Sequence, residues 1–282
     1  MALRVNTNVE ALNVHNTLVT TNNRVAESLK RLSSGKRINS AKDDASGLAV
    51  ANNFRAKISS MRVASQNAAE ANSMLQVADG AYSKITDILV RMRDLATQAA
   101  SGQTEQRDKL QKEFEALQGE INRIAGSTKY GDMTLTNSDS STGTTYTFQV
   151  GSGISTEYDV LTMNFSSVST GALGVGATGA SAISIGLPGS ATSAMDAIDK
   201  ALSKMNSYMA NVGAYQNRLQ YTIENLAVSI ENFSASESAI RDADMAYEMT
   251  QFTKNQILQQ TGIAMLSQAN QAPQQIMQLI GG

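Results

Sequence analysis

The chain has 282 residues, a formal net charge of −2, 17% charged and 5% aromatic residues, no tryptophan, no cysteine and only two prolines, Pro188 and Pro273. Near-neutral charge gives neither the basic footprint that nucleic acid demands nor a polybasic stretch for a membrane surface. Without cysteine, disulfides, thiolate metal sites and Cys nucleophiles are excluded, and the scarcity of large side chains argues against a thick core and for thin helix–helix seams.

The chain opens on Met1-Ala-Leu-Arg-Val-Asn-Thr-Asn8, which lacks the hydrophobic core of a secretory signal. No apolar run reaches the roughly 18 residues of a membrane-spanning helix. If the protein acts outside the cell, it is expected to leave by a route that needs no cleaved signal, and no membrane partner is expected. Leu12, Leu18, Val25, Leu29 and Leu32 then form a thin helical stripe, diluted by Asn8, His15 and Asn22. The segment Ser33-Ser-Gly-Lys-Arg-Ile-Asn39 is expected to break this helix, because Gly35 and the serines favour a cap or turn.

Met74, Ala78, Ala81, Ile85, Ile88, Met92, Leu95 and Ala99 keep an unbroken 4-3 spacing, the seam of a coiled coil, with Gly102 as the expected C-cap. Leu110, Phe114, Leu117, Ile121 and Ile124 repeat the spacing after a short link, which predicts an antiparallel pair. The middle differs. From Gly126 to Gly189 lie eleven of the twenty glycines and only five charged residues. Within it Tyr146–Val150 and Leu161–Phe165 alternate apolar and polar like half-buried strands, with Gly151-Ser-Gly153 and the polar residues after it as their turn.

A third stripe runs through Met195, Ile198, Leu202, Met205, Met209 and Val212, and on through Leu219, Ile223, Leu226, Ile230 and Phe233 to Ile240 and Tyr247. As one helix, residues 192–247 would span roughly 84 Å, and the first two stripes can cover it. The expected fold is mainly α: a long antiparallel helical rod with a small β-hairpin region at about 126–190. At the C-terminus Phe252, Ile257, Leu258, Ile263, Met265, Leu266, Ile276, Leu279 and Ile280 form an amphipathic segment rich in Gln. Each end is a marginal helix alone. The ends either pack on the domain as a terminal pair or pair mainly on assembly, against other subunits.

Four motifs in order carry a family resemblance. Arg31-Leu-Ser-Ser-Gly-Lys-Arg-Ile-Asn-Ser-Ala-Lys-Asp-Asp-Ala-Ser-Gly-Leu48 closely resembles the N-terminal signature of bacterial flagellins, and Ile257-Leu-Gln-Gln-Thr-Gly-Ile-Ala-Met-Leu-Ser-Gln-Ala-Asn-Gln-Ala-Pro273 resembles the C-terminal one. Gly213–Leu219 and Ser238–Asp244 match further motifs of that family. The resemblance implies an inner coiled coil formed by residues 1–44 with 240–282, and an outer helical domain, 45–239, that contains the hairpin region. It is a minimal form without large outer insertions. It further implies a filament subunit for motility, exported unfolded through a type III apparatus to an extracellular flagellum and added at the filament tip. Its partners would be other copies, filament cap and hook-junction proteins and an export chaperone. A hook–filament junction protein of the same family is the alternative.

Leu12, Leu18, Leu29, Leu32, Ile257, Leu258, Leu266 and Ile276 are expected to drive polymerisation. By resemblance, Arg91, Leu95 and Glu113 match a flagellin surface recognised by Toll-like receptor 5. No enzyme, cofactor or metal is expected. His15 is the sole histidine and lies in a helical stripe, no His-Glu-x-x-His occurs, and Asp43 and Asp44, being adjacent, would point apart on a helix.

Overall fold

The computed structural model describes residues 8–101, 106–136, 144–176 and 183–280. They make six helices and four short strands: α1 Val9–Ser34, α2 Ala45–Ala100, α3 Arg107–Ser127, β1 Lys129–Tyr130, β2 Met133–Thr134, β3 Thr144–Gln149, β4 Val160–Phe165, α4 Thr170–Leu173, α5 Pro188–Arg241 and α6 Met245–Ile280. The chain is mainly α, as its periodicity predicts, and divides into two compact units, 1–57 with 232–282 and 58–231. The expected cap Gly102 and the side chain of Ile276 lie outside the described residues.

In the larger unit α2 runs antiparallel to α3 and to α5. Arg91 and Arg107 on one side pair with Glu113 and with the Ala99 carbonyl, while Arg93 on the other pairs with Asp199 at 2.6 Å. Of the predicted seam residues, Ile88 is partly buried, and Met74, Ala78, Ala81, Ile85, Met92, Leu95 and Ala99 are buried. So are Leu75, Tyr82, Leu89 and Ala96, which the single predicted stripe omits. A helix covered by two neighbours needs an apolar face wider than one coiled-coil seam, which accounts for the difference. Tyr82 is the largest buried side chain here. Its ring packs at a tilt against Tyr208 of α5, with centroids 6.3 Å apart, and burial raises its hydroxyl pKa well above the ordinary value.

The middle segment is held to this core by the hairpin and by polar staples from α3. β3 and β4 pair antiparallel from Thr144 opposite Phe165 to Gln149 opposite Val160. Leu161, Met163 and Phe165 point inward while Thr162 and Asn164 face out, so the alternation in the sequence becomes the two faces of the hairpin. Gln111 accepts from the Ile185 amide at 2.7 Å, Gln118 donates to the Val175 carbonyl at 2.8 Å, and Asn122 accepts from the Thr170 amide at 2.9 Å. β1, β2 and α4 are short elements that no periodicity reading could find.

The β3–β4 connection is drawn together around Asp159. The Val150 and Gly151 amides donate to the Asp159 carbonyl, and its carboxylate accepts from the amides of Gly153 and Ser155. A Cβ on Gly151 would collide with the Asp159 carboxylate and lie 2.8 Å from its Cα, so only glycine lets the two chain segments close this far.

The smaller unit holds α1, α6 and the segments joining them to α2 and α5. The expected break after α1 occurs at Gly35, whose φ of 66° is the left-handed C-cap conformation. The third stripe does not continue as one helix to Tyr247. α5 ends at Arg241, and α6 restarts at Met245 with the Asp244 carboxylate accepting from the Ala246 and Tyr247 amides. Asp44 caps α2 likewise through the Gly47 amide. The register shifts across this interruption: Tyr247, the last residue of the predicted stripe, is 61% exposed, and the neighbouring Glu248 is the buried one.

Candidate assembly interface

The loop after α1 and the break before α6 are zipped together, and this sets the start of the terminal helix pair. The Arg37 amide donates to the Arg241 carbonyl at 2.7 Å, the Ala243 amide to the Gly35 carbonyl at 3.0 Å, and the Arg37 guanidinium to the Ile240 carbonyl at 2.7 Å. Beneath them Ile38 is buried. The Asp43 carboxylate organises the turn by accepting from the amides of Asn39 and Ser40 and from the Ser40 hydroxyl. The Ser40 amide, the Asn39 amide and the Ser40 hydroxyl, with Lys30 adding a weaker attraction, hold its pKa below the ordinary carboxylate value.

That shift fixes a pH dependence. A carboxyl with a folded pKa below its unfolded value stabilises the turn above the ordinary carboxylate range, and the contribution is lost as pH falls through the folded value. An NMR titration is expected to place the Asp43 midpoint below 3.8, with Ser40→Ala moving it back upward. A midpoint at or above the ordinary value would contradict the turn geometry.

From this junction α1 and α6 run antiparallel. Arg31 lies 3.8 Å from Glu248, a Cβ on Gly262 would sit 3.2 Å from Leu18, and the Asn8 amide group donates to the Ala269 carbonyl at 2.8 Å. The inward face of α1 follows Ala11, Val14, Leu18, Thr21, Val25, Ser28 and Leu32, and that of α6 follows Glu248, Phe252, Asn255, Gln259, Gly262, Leu266 and Ala269. Both keep 3-4 spacing throughout, the register of a two-helix seam.

The most buried positions of this seam are polar, set among the partly buried Val14, Leu18, Val25, Leu32, Phe252 and Leu266. The fully buried side chains of α1 and of the described part of α6 are Thr21, Ser28, Glu248 and Asn255, at 5–6% exposure. The large apolar residues Leu12, Leu29, Ile257 and Leu258 are instead 53, 55, 57 and 45% exposed. Val19, Ile263 and Met265 are exposed in the same way. Seven of the eight residues expected to drive polymerisation lie among the described side chains, and they occupy two positions. Leu18, Leu32 and Leu266 lie partly buried in the seam, and Leu12, Leu29, Ile257 and Leu258 face away from it. Sequence reading missed the polar members of the seam. Leu18, Val25 and Leu32 at seven-residue steps mark that face, and Thr21 and Ser28 between them were the available signal.

In the larger unit, both Nε and Nη2 of Arg91 donate to one Glu113 oxygen, at 3.0 and 2.7 Å, across α2 and α3. Both side chains are about half exposed. Leu95, one turn along α2, is completely buried, so it supports this pair from within the core and offers no surface itself. His15 is exposed on α1. Among the described residues no group of three or more His, Asp or Glu side chains could hold a metal ion, and no helix is long and apolar enough to cross a membrane.

Comparison with known proteins places these features in a family. Residues 5–139 match the model of the bacterial flagellin N-terminal helical region, and residues 195–280 that of the bacterial flagellin C-terminal helical region. The chain is 41% identical over 283 residues to the flagellar filament 33 kDa core protein of Treponema phagedenis, covering 98% of this chain and 99% of the relative. It is 39% identical over 280 residues to a flagellin of Halalkalibacterium halodurans, with 98% and 99% covered. Among solved structures, the crystal structure of Bacillus cereus flagellin is 30% identical with a TM-score of 0.50, covering 57% of this chain and 88% of that one.

Proposed function

The chain belongs to the bacterial flagellin family and is a structural subunit of the flagellar filament, and from that premise we propose that α1 and α6 drive its polymerisation through their outward apolar faces. The observation that carries this reading is the outer face of the terminal pair, where Leu12, Leu29, Ile257 and Leu258 face solvent at about half exposure. Exposed apolar surface on this scale marks an interaction site. A helical polymer needs contacts in which one patch meets a different patch on the next copy, and the outward faces of two dissimilar helices supply such patches. The names of the relatives favour the filament subunit over the hook–filament junction protein.

The finer biology follows the family pattern. The subunit leaves the cell unfolded by the flagellar export apparatus, guided by an export chaperone, and adds at the tip beneath the filament cap, with junction proteins joining filament to hook. Thin cores of Ala, Ile, Leu and Met and the absence of cysteine suit a chain that must refold after passage. Its site of action is then the extracellular flagellum.

Electron microscopy of purified protein seeded with short filament fragments tests this reading, beside a copy lacking residues 1–32 and 258–282. Long uniform filaments from the full chain alone are the expected result. A truncated copy that polymerises equally well would remove the terminal helices from the interface.

The Arg91–Glu113 pair is a second surface of interest, as a contact for Toll-like receptor 5. The guanidinium, held on one carboxylate oxygen, keeps further N–H donors directed outward for a carboxylate or carbonyl of a receptor. In a receptor reporter assay, Arg91→Ala and Glu113→Ala are each expected to lower signalling about tenfold or more, the cost of one lost charge-assisted contact. Unchanged signalling from both variants would remove the patch from the receptor site.

A further inference from the structure

Two features of the larger unit find no partner among the described residues. The first is the tip of the β3–β4 hairpin. Ile154 is 102% exposed and Tyr158 79%, so the first side chain rests on nothing in the chain and the second on almost nothing. Ile154 stands between Gly153 and Ser155, whose amides both donate to the Asp159 carboxylate. A side chain displayed from a loop tied on both flanks has less freedom to lose on binding. Tyr158 adds an apolar ring with a polar end, a combination suited to interfaces. Glu157 beside it is exposed. Because the Asp159 carboxylate is committed to the loop amides, Glu157 is the acid that the tip presents.

The second feature is a groove between α2 and α3. Its apolar lining is Val77, Ala81, Ile88 and Ile124, and it offers about 720 Å³, ample for two large side chains. Gly80 opens on it. A glycine inside a helix costs stability relative to alanine, and nothing in the fold calls for one at this position. A Cβ on Gly80 would meet no atom within 4 Å. Its missing side chain leaves space for a group that the chain does not itself supply. Around the groove Lys84 pairs with Asp87 at 3.4 Å and Arg123 with Glu120 at 2.6 Å. The fifth charge of the lining is Lys129, a cation with no partner within it.

We propose, resting on the filament reading, that the hairpin tip of one copy docks in the α2–α3 groove of a second copy. Ile154 and Tyr158 then cover Gly80 and the apolar lining, and Glu157 faces Lys129. The tip does not fill the groove of its own chain, since Ile154 is fully exposed. A knob and a groove at separate places of one unit make a heterologous contact, which repeats from copy to copy without closing. The apolar side chains drive this contact. The single charge pair sets the direction in which the tip enters and adds little strength. Both features lie within residues 58–231, so this contact is distinct from the outer faces of α1 and α6.

The absence of cysteine from the chain allows the contact to be trapped directly. Filaments grown from equal amounts of an Ile154→Cys copy and a Gly80→Cys copy, then mildly oxidised, are expected to yield disulfide-linked dimers that neither copy yields alone. In sedimentation of seeded mixtures, Ile154→Ser and Gly80→Leu are each expected to raise the concentration needed for assembly about tenfold. Neither disturbs the monomer, because one removes a side chain that touches nothing and the other adds one in open space. Glu157→Lys and Lys129→Glu are each expected to raise that concentration about threefold, and together to restore the wild-type value. Absence of the mixed dimers overturns the contact, as does assembly of Gly80→Leu at the wild-type concentration. A double charge variant no better than the single ones removes Glu157 and Lys129 from it. Failure of the wild type to form filaments counts instead against the filament reading, and the yield of mixed dimers in concentrated, unpolymerised protein then decides the contact.

Discussion

Replacement of Leu29 and Leu258 by Asp is expected to abolish filament growth while leaving the helices of residues 58–231 folded. Both side chains are about half exposed and belong to the smaller unit, so the core around Met92 and Phe114 does not depend on them. Burying the remaining exposed part of a leucine contributes about 1 kcal/mol, and an aspartate in its place adds the cost of desolvating a charge. Taken together, the two substitutions weaken each subunit contact by about 2–4 kcal/mol, which raises the concentration needed for assembly about 30- to 1,000-fold. Sedimentation of seeded mixtures measures that concentration, and circular dichroism of the monomer checks the helices. Filaments at the wild-type concentration would remove these two residues from the interface. Polar replacement of Leu32 or Leu266 also opposes assembly, but by loosening the α1–α6 seam in which both lie.

The largest loss of stability is expected from Phe114→Ala. Phe114 is fully buried at the centre of the inward face of α3, a helix of only 21 residues. Removing a buried phenylalanine side chain costs about 3–5 kcal/mol, because the transfer term and the residual cavity add. Ile121 and Ala125 are the other buried apolar residues of α3, and they cannot close such a gap without moving the helix. Since α3 carries Glu113 and the Gln111, Gln118 and Asn122 staples, its loosening should also release the middle segment. Guanidinium denaturation of the full chain measures the shift, and exchange at Gly174–Val175 reports the staples. A shift below about 1 kcal/mol would mean that α3 contributes little to this core.

Much of this fold was legible in the residues. The 4-3 stripes of α2, α3 and α5 are a one-dimensional record of which face is buried, since a helix can bury only residues that return every 3.5 positions or so. The alternation in 144–149 and 160–165 does the same for the hairpin. The motif segments became legible as local chemistry once their hydrogen bonds were known: Gly35 is a left-handed cap, Asp43 organises a turn, and Asp44 and Asp244 begin helices.

The terminal pair shows where such reading stops. Leu12, Leu18, Val25, Leu29 and Leu32 read as one diluted stripe, yet the fold divides them between an inner seam and an outer face. A helix with two partners has two buried faces, and a sequence pattern does not say which face meets its own chain and which a second copy. Leu95 poses the same difficulty at smaller scale, because a seam residue and a surface residue one turn apart carry equally apolar or polar side chains. The sequence by itself determined the helical stripes of α2, α3 and α5, the hairpin and the family, because these depend on local periodicity and on contiguous motifs. Only the tertiary structure decided that the ends hide polar side chains and present apolar ones, because that depends on the pairing of segments more than 200 residues apart, where every seam residue takes its burial from the register of the other helix.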